Sequence, residues 1–333
     1  MKKSLIAMTM AGILCFASVA AAATNTAADD SANKVSQQEE TPVAADNNDS
    51  NKFSYLGIFG SRYDHKSDSG VTDKSAVFIF NASYKFSDQF KVVTQSEFHH
   101  TYDESVAGNR AWNQVGRQFY GEGTFEGWSA KVGRFSYLPA YGLVHGDYQQ
   151  VTGGLVSFGN NVKTTLVAGR NSLYIPDMEL AKTDYKAIDV VCPVAQNTNV
   201  RAVYMQNSDT SDVNYFEGGF DTKLTQDLGF EAAYVKSDVS ADNKGYYAKL
   251  SYKNAIPFVA KTYDVFVTYH NLEANSIMSN DIPLLADRKG IKYGVHYAPW
   301  NSSLLTLWYD NAKYISTGAS QNFYRAQLDF FFK

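Results

Sequence analysis

Apolar and polar residues alternate with a period of two through segment after segment of this chain, and that pattern limits its fold more than any other feature. In residues 76–86, Phe78, Phe80, Ala82, Tyr84 and Phe86 share one face of an extended strand, with Asn81, Ser83 and Lys85 opposite. Residues 90–99 set Phe90, Val92 and Phe98 against Lys91, Gln95, Glu97 and His99. The same separation recurs in residues 215–224, 246–252, 263–270 and 291–297. At the C-terminus, Tyr324, Ala326, Leu328, Phe330 and Phe332 oppose Arg325, Gln327 and Asp329. An apolar face ending in aromatics and backed by charge fits a strand between lipid and water.

No stretch after Ala23 approaches the roughly 20 apolar residues that a membrane helix needs. Mean hydropathy is negative at −0.31, yet aromatic residues make up 14% of the chain. The two facts agree if strands cross the membrane, because only every second residue then meets lipid. Segments of this kind number about sixteen, which predicts an all-β fold: a closed antiparallel transmembrane barrel. Residues 53–63, 111–125 and 150–158 alternate poorly. Arg117 is out of phase with Gln114, Gln118 and Glu122, which a bulge or a protein-covered face would explain.

Connections alternate as well. Residues 87–88, 126–127, 160–161, 195–198, 225–227 and 299–302 make short turns, and 254–261 a longer one. Between them lie mostly longer polar links, among them 65–74, 136–149, 171–184 and 272–287. Short turns on the periplasmic rim and longer loops outside are the outer-membrane arrangement. Spreading residues 53–333 over sixteen strands leaves roughly 17 residues per strand and connection, against roughly 9–11 needed to cross. Fourteen or eighteen strands fit the same pattern within boundary error. A soluble β-sandwich or propeller is the competing fold, but it would have to place all those one-face aromatics against a protein core.

Residues 1–23 form a secretory signal: Lys2 and Lys3, an apolar stretch from Leu5, and small residues ending at an Ala-x-Ala site before position 24. Bulky Leu14 precedes Cys15, which argues against a lipoprotein cysteine. Once the signal is removed only Cys192 remains, so no intrachain disulfide is available. Residues 24–52 are polar, contain no aromatic residue and cannot bury enough apolar surface to fold, so a disordered periplasmic segment is expected there. Residues 53–333 are the barrel.

Residues 128–143, Trp-Ser-Ala-Lys-Val-Gly-Arg-Phe-Ser-Tyr-Leu-Pro-Ala-Tyr-Gly-Leu, with Leu166-Val-Ala-Gly-Arg170, resemble general outer-membrane porins, most of all those of diderm Firmicutes of the Negativicutes type. Those relatives often carry a surface-layer-homology domain before the barrel, for which residues 24–52 are no match. The resemblance implies a homotrimer. It also implies that the third long loop, residues 136–149, folds into the lumen and narrows it. Tyr137, Tyr141, His145, Asp147 and Tyr148 are then constriction candidates.

Inward-facing charges supply the remaining candidates. Lys91, Glu97, Lys131, Lys163, Arg201, Glu217, Asp221, Asp264, Lys292 and Arg325 are expected to line the pore. Bases gather in the first half of the barrel and acids in the second, which predicts one wall richer in base and another richer in acid. Arg134 and Arg170 each follow a glycine at a strand end, either in the pore or on the rim. The six histidines show no metal-ligand spacing, and no nucleotide loop or nucleophile motif occurs. No cofactor, metal or catalytic group is expected.

The expected function is passive diffusion of ions and small hydrophilic solutes. The competing readings are a sugar-selective channel with Tyr137, Tyr141 and Tyr148 as a stacking strip, a barrel enzyme, or a structural envelope protein. Expected partners are outer-membrane lipid, the permeating solutes, the barrel-assembly machinery and two further copies of the chain; nucleic acid is not among them.

Overall fold

The computed structural model describes residues 52–68, 70, 72–102, 113–145, 149–173, 183–208, 212–278 and 285–333. The segments assigned to the signal and most of the polar segment, residues 1–51, lie outside the described residues. Sixteen strands follow one another. They are β1 Phe53–Lys66, β2 Thr72–Lys85, β3 Phe90–Thr101, β4 Asn113–Phe125, β5 Trp128–Ser136 and β6 Gln149–Phe158. Next come β7 Lys163–Leu173, β8 Thr183–Ala195, β9 Thr198–Ser208, β10 Asp212–Lys223 and β11 Leu228–Ser237. The last five are β12 Lys244–Lys253, β13 Tyr263–Leu272, β14 Arg288–Tyr297, β15 Ser303–Tyr314 and β16 Ser320–Phe332. Each strand pairs antiparallel with its sequence neighbours, and β1 pairs with β16, closing the barrel. Closure satisfies every strand's ladder and removes the edge that an open sheet would expose.

The seam shows how side chains complete the closure. Gly57 pairs with Phe332, and a Cβ on Gly57 would lie 2.1 Å from the Phe332 ring. That ring covers the bare glycine backbone and stacks on Phe78 at 6.0 Å. Phe332 stays 45% exposed on the outward face, which β16 also lines with Phe330 and Tyr324.

Arg117 is a bulge. Gln95 pairs with Gln118 and Ser96 with Gly116, so Arg117 is the extra residue at which β4 bulges. Both Arg117 and Gln118 are therefore buried, which single-period alternation forbids. Poor alternation in β6 has a different cause. Val151 and Leu155 face inward at 0% and 9% exposure, while Val156 and Phe158 face outward. Both faces are apolar because the inner one is covered by protein.

That cover is part of a core inside the barrel. Tyr120, Phe135, Val151, Val167, Tyr185 and Met205 project from the inner wall. Leu143 and Val144, from the connection between β5 and β6, pack against them with no exposed surface. Burying each of these two side chains is worth roughly 1.5–3 kcal/mol, enough to hold a loop inside. The rim asymmetry is weaker than the alternation of connections suggests. On the long-loop rim, connections 67–71, 209–211 and 315–319 are as short as many turns opposite.

Candidate functional site

Residues 137–145, the described part of the connection from β5 to β6, turn into the barrel instead of out over the rim. The reversal at Pro139 to Gly142 is closed by Gly142 N donating to Pro139 O at 2.9 Å, with Ala140 and Gly142 at positive φ. Glu217 of β10 faces this reversal from the inner wall. Its Oε1 accepts the backbone N–H of Tyr141 at 2.8 Å; its Oε2 accepts those of Leu143 at 3.2 Å and Val144 at 3.1 Å. A buried carboxylate receiving three backbone donors satisfies groups that the loop's burial would otherwise strand.

Two residues along β10, Gly219 leaves room for both the β11 backbone and the loop, since a Cβ there would lie 2.2 Å from Ala232 O and 2.8 Å from the Tyr141 ring. Two further along, Asp221 accepts the Tyr141 hydroxyl at 3.3 Å, Arg201 Nε at 2.8 Å and Asn199 Nδ2 at 2.9 Å. The Arg201 guanidinium lies 5.8 Å from the centre of the Tyr141 ring. Alternate positions of one strand, 217, 219 and 221, thus hold the loop. His145 packs against Tyr137 and Tyr185, and its Nδ1 donates to the Tyr137 carbonyl at 2.5 Å. Burial pulls its pKa down to about 4, so the imidazole is neutral near pH 7.

Among the described residues the tyrosine stacking strip does not form. Tyr137 is 7% exposed and enclosed by His145 and Tyr185, while Tyr141 lies against the β10 wall. Asp147 and Tyr148 lie outside the described residues.

Segregation of base and acid on opposite walls is also overturned. Inward charges pair across neighbouring strands: Lys91 with Glu122 at 3.1 Å, Arg117 with Glu97 at 3.2 Å and Lys249 with Glu231 at 3.5 Å. Arg325 forms a bidentate pair with Asp64, both contacts 2.8 Å, and Arg62 approaches the same carboxylate at 3.3 Å. Alternation counts charges per strand but cannot see cross-strand partners, and those partners neutralise most of them.

The other candidates divide by environment. Lys131 faces inward with its Nζ 4.9 Å from the Tyr120 ring centre, and Lys163 is exposed at the short-turn end of β7. Asp264 faces inward and bonds His296 at 2.8 Å. Lys292 is only 7% exposed, its Nζ 5.3 Å from the Trp308 ring centre; it belongs to the packed wall. Glu97, Arg201 and Glu217 are likewise enclosed by protein.

For Arg134 and Arg170 the rim alternative holds and the pore-lining one does not. Arg170 shares a face with Leu166 and Ala168, pairs across β6 and β8 with Thr152 and Asp184, and is 67% exposed. Arg134 shares the face of Val132 and pairs with Phe119, side chains that are 69% and 67% exposed. Both arginines are outward and belong to the rim. Among the described residues no group of three or more His, Cys, Asp or Glu converges to hold a metal. Gly219 and the anchoring role of Glu217 have no sequence signature, because Glu217 reads as one inward acid among many.

The closed sixteen-stranded antiparallel barrel is similar in fold to solved porin structures. Three variants of the Rhodopseudomonas blastica porin illustrate the match, each covering 84% of this chain and 100% of its own. Two superpose with TM-scores of 0.56 at 12% identity, the third with 0.54 at 13%. No family model matches the sequence. No curated protein matches it either.

Proposed function

We propose that this protein is an outer-membrane diffusion porin, a non-enzymatic channel passing ions and small hydrophilic solutes down their gradients. The observation that carries this is the anchored loop. Glu217 ties residues 141–144 to one side of the lumen, where Leu143 and Val144 join an apolar cluster with inward residues from β4 to β13 and with Ile277 of the β13–β14 connection. On the inner face away from the loop, Arg62, Asn81, Gln95 and Arg325 stay partly exposed and are the polar groups a solute would pass. The outward face supports insertion: Phe59, Leu250, Val265, Ile291 and Phe330 all project from it. Paired inward charges suit small solutes of either sign, with weak overall ion preference. Export by the signal at residues 1–23, insertion by the barrel-assembly machinery and a homotrimer complete the proposal, on the resemblance of residues 128–143.

Liposome swelling tests it. Vesicles containing the purified protein should swell in small sugars at rates that fall steeply with sugar size. A folded, inserted protein that gives no swelling with any sugar would refute the channel.

A further inference from the structure

Two pairs of lysines on the outward face stand directly opposite each other with no anion between them. Lys236 of β11 pairs in register with Lys244 of β12, and Lys289 of β14 with Lys313 of β15. All four are exposed and near the long-loop ends of their strands. Like charges at directly opposed cross-strand positions destabilise a sheet. Three nearby carboxylates are engaged elsewhere: Glu273 accepts the Lys244 backbone N–H at 2.8 Å, Asp238 binds Asn214, and Asp287 binds Ser316. Among the described residues none of the four ammonium groups forms an ion pair with a carboxylate.

A second regularity fixes their depth. On the same outward face, toward the barrel's middle, each lysine pair has a tyrosine pair below it. Tyr234 and Tyr246 lie 5.3 Å apart, and Tyr293 and Tyr309 5.6 Å apart. Tyrosines on a lipid-facing surface settle at the boundary between hydrocarbon and headgroups. Lys236 and Lys244 lie one outward position beyond their tyrosines, and Lys289 and Lys313 lie two, past Ile291 and Asn311, so both pairs stand toward the rim at headgroup level. Arg170 and Lys186 occupy outward positions near the same rim. At the opposite rim the outward positions carry rings such as Trp128, Phe158 and Phe332.

We propose that these lysine pairs are binding sites for phosphate-bearing lipid in the leaflet on the long-loop side. One phosphate bridges the two ammonium groups of a pair while its acyl chains lie down the apolar outward face. A phosphate group supplies several strong acceptor oxygens and the charge that each pair lacks. Binding converts two repulsive cross-strand contacts into bridges, so it stabilises the barrel where β11–β12 and β14–β15 meet the rim. The proposal rests on the membrane reading of the outward face, but not on conduction.

The test uses the whole protein in neutral detergent, titrated with phosphatidic acid, with diacylglycerol of the same chains, and with orthophosphate. Bound lipid is counted by native mass spectrometry and thermal midpoints are recorded. Phosphatidic acid should bind and raise the midpoint; diacylglycerol and orthophosphate should not. The combined substitution Lys236→Ser, Lys244→Ser, Lys289→Ser and Lys313→Ser should weaken lipid binding at least about tenfold. In neutral detergent the variant should melt no lower than the parent, because repulsion has been removed. If the fourfold variant does not fold, Lys236→Gln with Lys289→Gln removes one cation from each pair and should show the same loss. Equal binding by parent and variant, or equal binding of diacylglycerol, overturns the proposal. An equal rise with orthophosphate overturns it too, by showing a free-anion site. Conductance in neutral vesicles is recorded separately; its absence with lipid binding intact would sink the channel and leave this site standing.

Discussion

Glu217 and Val144 are separated by 73 residues in sequence and joined by one hydrogen bond of 3.1 Å, from the loop's backbone to a fully buried carboxylate. That bond and its two companions turn a long connection into part of the inner wall. Glu217→Ala strands three N–H donors, two of them buried at roughly 1–3 kcal/mol each, offset where the loop escapes to water. The substitution should lower the thermal midpoint and make residues 141–144 protease-sensitive in a barrel that still closes. Glu217→Gln keeps one acceptor oxygen and should fall between the two. Unchanged protection of the loop in Glu217→Ala would show that apolar packing alone places it.

The loop should also loosen in acid. His145 is buried neutral, with a pKa of about 4 against 6.5 when unfolded. Between those values the opened loop binds a proton that the packed loop refuses, so packing is full above pH 6.5 and weakens as pH falls toward 4. The loss amounts to roughly 3 kcal/mol of local stability at the acid limit. Tyr137 and Tyr185 enclose the ring, and Asp189 and Glu217 lie on the same inner wall. His145→Gln isolates the imidazole from those carboxylates. Amide exchange in residues 141–145 should rise between pH 6.5 and 4 in the parent and much less in His145→Gln. Identical pH profiles would assign the response elsewhere.

Phase on the membrane face is testable at neighbouring positions. Leu250 is outward and 38% exposed near the middle of β12, with Ser251 turned inward beside it. Leu250→Arg should cost roughly 2–4 kcal/mol in lipid, as a cation at the bilayer midplane does. Ser251→Arg should cost far less because water reaches it. Unfolding in urea from lipid vesicles measures both; equal losses would mean the wrong face was assigned to lipid.

Ion selectivity should ignore the rim arginines. Replacing Arg134 and Arg170 together with Ala should leave the reversal potential unchanged, since both point away from the lumen. Lys249→Glu should shift it toward cations, because that ammonium is 32% exposed inside the barrel. The shift should shrink as salt rises and the screening length falls from about 10 Å at 0.1 M to about 3 Å at 1 M. A shift from the arginine pair alone would place them back in the pore.

Seam closure depends on Phe332 covering Gly57. Phe332→Ala should cost roughly 1–2 kcal/mol, less than for a fully buried ring because nearly half of it is exposed. Gly57→Val should be worse, since its side chain needs the space the ring fills. Gel mobility before and after heating reports closure. A fully heat-modifiable Gly57→Val would show that the ring can move aside without loss.

The barrel was legible because its outward positions obey one rule with few exceptions: lipid accepts no charge, so Phe78, Phe80 and Ala82, or Tyr263, Val265 and Val267, announce their face by spacing alone. The inner face obeys no single rule. Val151 and Leu155 are apolar because a loop covers them, while Lys91 and Lys249 are charged because water or a carboxylate meets them. Which case holds depends on partners far away in sequence, and no local pattern encodes those. Arg170 is different. It stands two and four residues after Ala168 and Leu166, so its outward direction was already present in the alternation, and only its charge suggested the pore.

Single-channel recording in a planar bilayer tests the central claim most directly. The purified, heat-modifiable protein should produce discrete, long-lived conductance steps that grow with salt concentration. A barrel that inserts, resists unfolding until heated and yet gives no steps at any salt would contradict it, and would mean that the loop held by Glu217 seals the lumen.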